Sequence, residues 1–410
     1  MVEPPRGTPA ESVVISSAAV ETYRQCSVCV LDTLDDPQMR FDSKGRCHYY
    51  HEYLAAEKQN VLTGEDGRHK LERLADDIRT AEKGKPYDSI MGLSGGVDST
   101  YVAYVAKGLG LRPLAVHFDN GWNSELAVRN IENVVNRLGF DLVTYVMNWE
   151  EFRDLQLAYL KASVVDIEVV TDHAIFATLY RMAGRHGIRA ILSGTNVVTE
   201  QVLPPHWIYN KTDHVNIRAI HQQFGTVPLK TYPFMDLKVK KYYQLMRGIR
   251  SHSILNYVDY DKARVKRVIA DELGWRDYGG KHYESIFTRF YQGYILPTKF
   301  GIDKRKAHLS NLIFAGQITK QQALADLAEP IYPPNQLASD YEFVLKKLEL
   351  TEPEFAELMS RPPRPHRDFA TEQSVYDAYP ALRPFRGAAE LVKGAIRPRG
   401  DDTPDVEKPI

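Results

Sequence analysis

The chain has 410 residues, 43% of them apolar and 26% charged, with a formal net charge of −1. That is enough for two or three domains with sizeable cores, and it lacks the global basic field that captures nucleic acid non-specifically, although local basic patches stay open. The apolar runs fall short of a spanning helix, and MVEPPRGTPAES at the start has neither the basic cluster nor the apolar core of a signal peptide, so no membrane partner and a cytoplasmic location are expected.

Residues 1–22 are rich in Pro, Ser and Ala and are expected to be disordered. All three cysteines, Cys26, Cys29 and Cys47, fall in a small module over 23–60. An odd, clustered set argues against a disulfide scaffold and for a metal site or a reactive thiol. Cys26-Ser-Val-Cys29 and Cys47 supply the first three ligands of a C-x₂-C…C-x₂-C zinc ribbon, with Tyr50 in the fourth place. His51 is the expected fourth zinc ligand and His48 its alternative, since Cys₃His is a legitimate zinc geometry. A metal-free relic and redox or persulfide-carrying cysteines are the other readings.

A charged helical stretch, HKLERLADDIRTAEKGK, then leads to the first strand. Strand-like runs at 89–93, 114–118, 142–146 and 190–192 alternate with helical patterns at 100–109, 124–138 and 172–186. This alternation predicts an α/β fold, a doubly wound parallel sheet covered by helices, over 61–230. From 231 to 350 the pattern is mainly helical and rich in Tyr, Lys and Arg. Over 351–410, and above all from Arg361 onward, Pro and charge dominate, which reads as an extended tail.

The first strand ends in SIMGLSGGVDSTYVAYV, with two glycines at the turn into a helix. Glycines let backbone N–H groups approach an oxyanion, and the free N–H groups of the next helix favour negative charge. No lysine follows the glycines as a Walker A loop requires, and the G-x-G-x-x-G of a dinucleotide fold is absent. Ser94-Gly95-Gly96-Val97-Asp98-Ser99 resembles the PP-loop of the N-type ATP pyrophosphatases, the adenine nucleotide alpha hydrolase-like enzymes that cleave ATP between the α- and β-phosphates. The resemblance implies that the amides of Gly95 to Ser99 and the hydroxyls of Ser94 and Ser99 cradle pyrophosphate. Asp98 and Ser99 become candidate catalytic residues. A carboxylate beside phosphates needs a cation, so Asp98 is expected to hold Mg²⁺.

In a doubly wound sheet the ligand sits at the carboxyl ends of the strands. The second strand ends AVHFDNGWNS and the fourth ILSGTNVVTE. Asp119, Asn120 and Gly121 are placed to meet adenosine, and Ser193, Gly194, Thr195 and Asn196 to border the α-phosphate. Glu200 is a candidate second metal or substrate carboxylate. The alternative for these polar residues is helix capping and loop structure.

Residues 279–324, GGKHYESIFTRFYQGYILPTKFGIDKRKAHLSNLIFAGQITKQQAL, together with CSVCVLDT…FDSKGRC and SGGVDS, resemble the N-acetyl sugar amidotransferases of bacterial surface-polysaccharide and nonulosonic-acid pathways. That family has Cys where this chain has Tyr50. The resemblance implies that ATP adenylates an N-acetyl amide oxygen on a nucleotide sugar and that ammonia replaces it. A separate glutaminase and a cyclase-like barrel, similar to the subunits of imidazole-glycerol-phosphate synthase, would supply the ammonia. Lys281, His282, Arg289, Lys299, Lys304 and Arg305 alternate with Tyr283, Phe287, Phe290 and Tyr291, a mixture suited to a diphosphate, a carboxylate and a sugar or uracil face. Lys281 and Arg289 are the candidate catalytic cations, against the alternative of a solvated basic helix face, which is stronger for Lys304 and Lys306. A tRNA-modifying PP-loop enzyme such as a thiolase and a non-catalytic nucleotide-binding scaffold are the competing functions.

Overall fold

In the computed structural model, which describes residues 23–280 and 283–373, the apolar runs become one parallel sheet. Its strands are β1 (Ser89–Gly92), β2 (Pro113–Asp119), β3 (Leu142–Val146), β4 (Ala190–Ser193) and β5 (Arg250–Ser253), in the order β3-β2-β1-β4-β5. Register sets Ser89 beside both Pro113 and Ala190. Strand order reverses between β1 and β4, so the crevice at their carboxyl ends is where such a sheet receives a ligand.

Helices α1 (His48–Asn60) and α2 (Gly64–Ala81) precede the sheet. The crossovers are α3 (Val97–Gly108), α4 (Glu125–Leu138), α5 (Trp149–Ala162) and α6 (Val169–His186). Alternation sorts the strand residues by face. Ile90, Leu114, Val116 and Ile191 pack with Ala177, Tyr180 and Ala183 of α6. Their neighbours Met91, Ala115 and Leu192 pack with residues of α2, α3 and α4. Gly139 and Gly187 end α4 and α6 in the left-handed conformation that stops a helix.

Beyond β4 come α7 (Val197–Glu200), α8 (His214–Phe224), α9 (Leu237–Lys241) and then β5. The sheet thus takes its fifth strand from beyond residue 230, the boundary expected for the nucleotide domain. Helix α10 (Lys262–Leu273) buries Val265, Ile269 and Leu273 on the same face as α3. The remaining helices are α11 (Ile286–Phe290), which continues as a wider-turned π-helix to Phe300 around Pro297, α12 (Arg305–Phe314), α13 (Lys320–Ala328), α14 (Pro334–Leu348) and α15 (Glu352–Ser360). They share with the cysteine module and α5 a large core in which Trp122, Tyr159, Phe287, Phe290, Tyr291 and Phe355 are fully buried.

The expected extended tail is packed as far as residue 373. Thr351 and Glu354 form a capping box that starts α15. The Arg364 N–H donates to the Ser163 carbonyl at 2.9 Å, the His366 ring stacks on Tyr209 at 4.0 Å, and Phe369 is buried. Proline and charge there follow the surface of α5 and α8 instead of leaving it. The segment expected to be disordered, 1–22, and the tail from 374 onward lie outside the described residues.

Candidate active site

The turn after β1 is a cradle that side chains would fill. Gly95 has φ +79°, and a Cβ there would stand 2.7 Å from the Ala127 carbonyl oxygen of α4. At Gly96 a Cβ would stand 3.0 Å from Ser94 Oγ, 3.1 Å from Glu284 Oε1 and 3.3 Å from the Tyr278 hydroxyl. Gly95 therefore requires glycine for its conformation and its approach to α4, while a side chain at Gly96 would crowd three side-chain oxygens. The hydroxyls of Ser94 and Ser99 lie 3.1 Å apart, and Ser99 Oγ donates to the Gly96 carbonyl at 3.2 Å. Two groups from beyond α10 brace the loop: Trp275 Nε1 donates to the Gly95 carbonyl at 2.8 Å, and the Val97 N–H donates to the Tyr278 hydroxyl at 3.2 Å. The donor set suits pyrophosphate.

Asp98 stands in the first turn of α3. The Tyr260 hydroxyl donates to its Oδ1. Burial first, then the charges of Asp98 and Glu200, push that phenol far above its ordinary value. The charges of both carboxylates thus act on one hydroxyl.

The exit of β4 meets the same place. A Cβ on Gly194 would lie 3.3 Å from the Asp98 Cβ. Ser193 Oγ and Ser253 Oγ each lie 2.9 Å from Thr195 Oγ1, which joins the ends of β4 and β5. Asn196 serves as the cap of α7, accepting from the Thr199 N–H at 2.9 Å. At the β2 exit, Asp119 Oδ1 accepts from the Gly121 N–H at 2.8 Å and from Asn123 Nδ2 at 3.1 Å. Asn120 is buried and accepts from the Trp122 N–H at 3.2 Å. Asn196 and Asn120 thus do the capping and turn-forming work that was the alternative for them.

Two residues of this end of the sheet carry no motif. His117, on β2, donates from Nδ1 to the Leu93 carbonyl at 3.2 Å and receives Asn123 Nδ2 on Nε2 at 3.1 Å. Burial lowers its pKa, so a neutral ring ties the β1 exit to Asn123 and through it to Asp119. Lys347, in the last turn of α14, donates to the Gly121 carbonyl, and its ammonium lies 4.7 Å from the Trp149 ring centroid and 5.1 Å from that of Trp122. A lone histidine in a strand and a lysine 226 residues away from its acceptor give no sequence signal.

The basic stretch is placed differently from expectation. Arg289 forms a buried fork on Asp340, Nε to Oδ2 at 2.7 Å and Nη2 to Oδ1 at 2.9 Å, so its guanidinium is engaged within the protein. Lys299 donates to the carbonyls of Leu358, Met359 and Arg361 and so closes the C-terminus of α15. Lys304 lies 5.7 Å from the Tyr291 ring centroid. Arg305 binds Asp303 and the carbonyls of Asp326 and Glu329. Phe287, Phe290 and Tyr291 are core residues. Lys281 and His282 lie outside the described residues.

Cys26, Cys29 and Cys47 come together, fully buried, with all sulfur atoms within 4.8 Å of one another. Amides of Val28, Cys29 and Cys47 point at Cys26 Sγ from 3.3–3.5 Å, and the Cys26 thiol is pushed strongly down by hydrogen bonds from the other two cysteines. That is an environment for a thiolate, and the donor set fits a thiophilic metal such as zinc. His51 does not join it: Nε2 lies 3.0 Å from Asp42 Oδ2, a carboxylate already fixed by Arg46. His48 accepts from the Arg40 N–H at 3.2 Å instead. The expected fourth ligand is thus absent from the cluster, because each histidine has a nearer partner in the ribbon's own turn.

Two family models match separate segments of the chain. Residues 90–195 match the asparagine synthase family, and residues 284–383 match the family described as LPS biosynthesis protein WbpG-like, C-terminal domain. The tRNA(Ile)-lysidine synthase of Chlamydia pneumoniae is 37% identical over 70 residues, 17% of this chain, which spans only 22% of that relative. Among solved structures, NMN synthetase from Francisella tularensis is similar at 12% identity over 53% of this chain and 98% of its own, with a TM-score of 0.28. The NH3-dependent NAD synthetase of Campylobacter jejuni subsp. jejuni is similar at 16% identity over 52% and 85%, with a TM-score of 0.28. No helix among the described residues is long and apolar enough to cross a membrane.

Proposed function

Starting from a chain that joins an asparagine-synthase-type PP-loop segment to a WbpG-like LPS biosynthesis domain, we propose that it is an ATP-dependent amidotransferase of surface-glycan synthesis. It adenylates the N-acetyl amide oxygen of a nucleotide-linked sugar and exchanges that oxygen for nitrogen. One observation carries the reading: the first residues of the WbpG-like segment pair with the turn at the β2 exit, and Glu284 reaches to Gly96 of the anion loop. Ser285 bridges Asn123, the Glu284 carbonyl accepts from the Ser124 N–H at 2.9 Å, and the Ile286 N–H donates to the Trp122 carbonyl at 2.8 Å. ATP and acceptor are then held between two parts of one chain, which turns a bimolecular attack into a positioned one.

In the first step the amide oxygen bonds to the α-phosphorus while the bond to pyrophosphate breaks. Ser94, Ser99 and the amides of Gly95 to Ser99 take up the charge of the departing group. Asp98, with Glu200 as its candidate companion, would hold Mg²⁺, which neutralises that charge when bound. In the second step ammonia adds to the activated carbon, AMP leaves with the carbon–oxygen electron pair, and an acetamidino group remains. Every cysteine of this chain lies in the N-terminal module and none on a strand-to-helix elbow, so we assign ammonia supply to separate glutaminase and cyclase-like barrel subunits. Zinc on the three thiols is assigned a structural role.

The test is a mass-spectrometric screen of UDP-sugars with ATP, Mg²⁺ and ammonium for a product about one mass unit lighter, as expected when O is replaced by NH. AMP formation with no such product from any N-acetyl sugar refutes the substrate class. The second reading, a tRNA substrate, is favoured by the segment shared with the lysidine synthase. RNA that copurifies with the chain and stimulates AMP release would support it over the sugar.

A further inference from the structure

The described part of the segment that leads from α10 into α11 has a feature that the proposed chemistry leaves unused. Trp275 and Tyr278 cross the PP-loop, and Glu284 returns over it. Val97 is the first residue of α3, so its N–H is one of the free donors a helix offers to an anion. Here that N–H is taken by the Tyr278 hydroxyl at 3.2 Å, the same hydroxyl that stands 3.3 Å from the Cβ position of Gly96. A phosphate oxygen bound to the Val97 amide would need the place the phenol oxygen fills. The Glu284 carboxyl also stands beside the Gly96 Cβ position, at 3.1 Å. Burial, then the charges of Glu284 and Asp98, keep the phenol neutral, so it can act as an acceptor at any physiological pH.

We propose that Tyr278 is a stand-in for a phosphate oxygen: its hydroxyl takes the Val97 amide, and the β- or γ-phosphate of ATP displaces it, moving the Trp275–Tyr278 strap. This rests on the PP-loop reading and extends it. ATP arrival becomes coupled to the Trp275–Tyr278 strap. Selection also follows. A nucleotide with only an α-phosphate gains nothing from displacing the phenol, whereas a triphosphate or free pyrophosphate does.

The full-length chain is titrated with magnesium pyrophosphate, with MgATP and with AMP, as wild type and as Tyr278→Phe. The variant keeps the ring, which packs edge-on against Trp275 at 5.5 Å, and removes only the competing acceptor. Pyrophosphate and ATP should bind about two- to tenfold tighter to the variant, the range expected from one net hydrogen bond, with AMP unchanged. Equal or weaker pyrophosphate binding by the variant overturns the proposal, since weaker binding makes Tyr278 a phosphate ligand instead of its substitute. In parallel, pyrophosphate should change the wild-type tryptophan emission, and Trp275→Phe should abolish that change. Binding without a Trp275-dependent signal means that the strap stays in place, which also overturns the proposal. Wild type that binds neither pyrophosphate nor ATP refutes the PP-loop reading itself, and that outcome is distinct from either failure of the strap.

Discussion

Replacing Arg289 by methionine should unfold the chain more readily without acting through substrate. The guanidinium and the Asp340 carboxylate are both buried and make two parallel bonds of 2.7 and 2.9 Å, with the Tyr332 hydroxyl also donating to Asp340 Oδ2. Removing one partner strands the other charge in the core, which costs about 3–5 kcal/mol. The double variant Arg289→Met/Asp340→Leu removes both charges at once and should recover most of that loss. The Tyr332 hydroxyl then lacks its acceptor, a residual cost of about 1–3 kcal/mol. A double-mutant cycle in urea should therefore give a favourable coupling of at least about 2 kcal/mol between the two residues. The reasoning is refuted if Arg289→Met unfolds at the wild-type urea concentration while ATP–pyrophosphate exchange is lost. That pattern would return Arg289 to the substrate.

Asp98→Asn should lower ATP–pyrophosphate exchange by at least about 10²-fold with little change in melting; exchange at the wild-type rate would remove Asp98 from the reaction. Gly95→Ala forces a side chain into positive φ and to 2.7 Å from the Ala127 carbonyl, so pyrophosphate binding measured by calorimetry should disappear, and normal binding would show that the loop geometry is not required. Elemental analysis should find one metal ion per chain, lost in Cys47→Ser and kept in His51→Ala; loss in the histidine variant would restore His51 as a ligand. His173 accepts from the Met235 N–H on Nε2 and donates from Nδ1 to the Lys211 carbonyl, and burial lowers its pKa from 6.5 to about 4. The unfolded chain therefore binds the proton first, so stability is full above about pH 6.5 and falls by up to roughly 3 kcal/mol as the pH drops to 4. Melting curves of His173→Gln should be flatter across that window, and an unchanged slope would refute the assignment.

What could be read from the sequence follows the physics of each element. β1, β2 and β4 are buried runs, β3 is an edge strand that still reads as the apolar run LVTYV, and SGGVDS sits at the turn between β1 and α3, so the anion loop was legible from six residues. β5 was not, because Arg-Ser-His-Ser is an edge strand with no apolar alternation and is recognised only by its partner β4. α5 hides for the opposite reason. It is buried on most sides, and its polar residues Glu151 and Asp154 point inward to take the backbone amides of 226–232. The cations of 289–306 look like a ligand site in one dimension. In three dimensions Arg289, Lys299 and Lys306 meet acceptors 51, 59 and 274 residues away, a distance over which sequence patterns carry no information.

The cysteine module is held by such distant partners. Lys306 bonds Asp32 and Asp35 at 2.8 and 2.7 Å, and Lys320 donates to the Cys26 carbonyl at 2.6 Å, across 274, 271 and 294 residues. On a ribosome adding about 5–20 residues per second, the lysines follow the thiols by ~15–60 s. Through that interval Asp32 and Asp35 lack Lys306, and burial first, with a neighbouring carboxylate, pushes Asp35 up to about 6 even in the finished protein. The N-terminal module is thus made well before the residues that lock it. A nascent chain stalled before α13 would present three reduced cysteines to whatever metal or oxidant is at hand before Lys320 has closed on the Cys26 carbonyl.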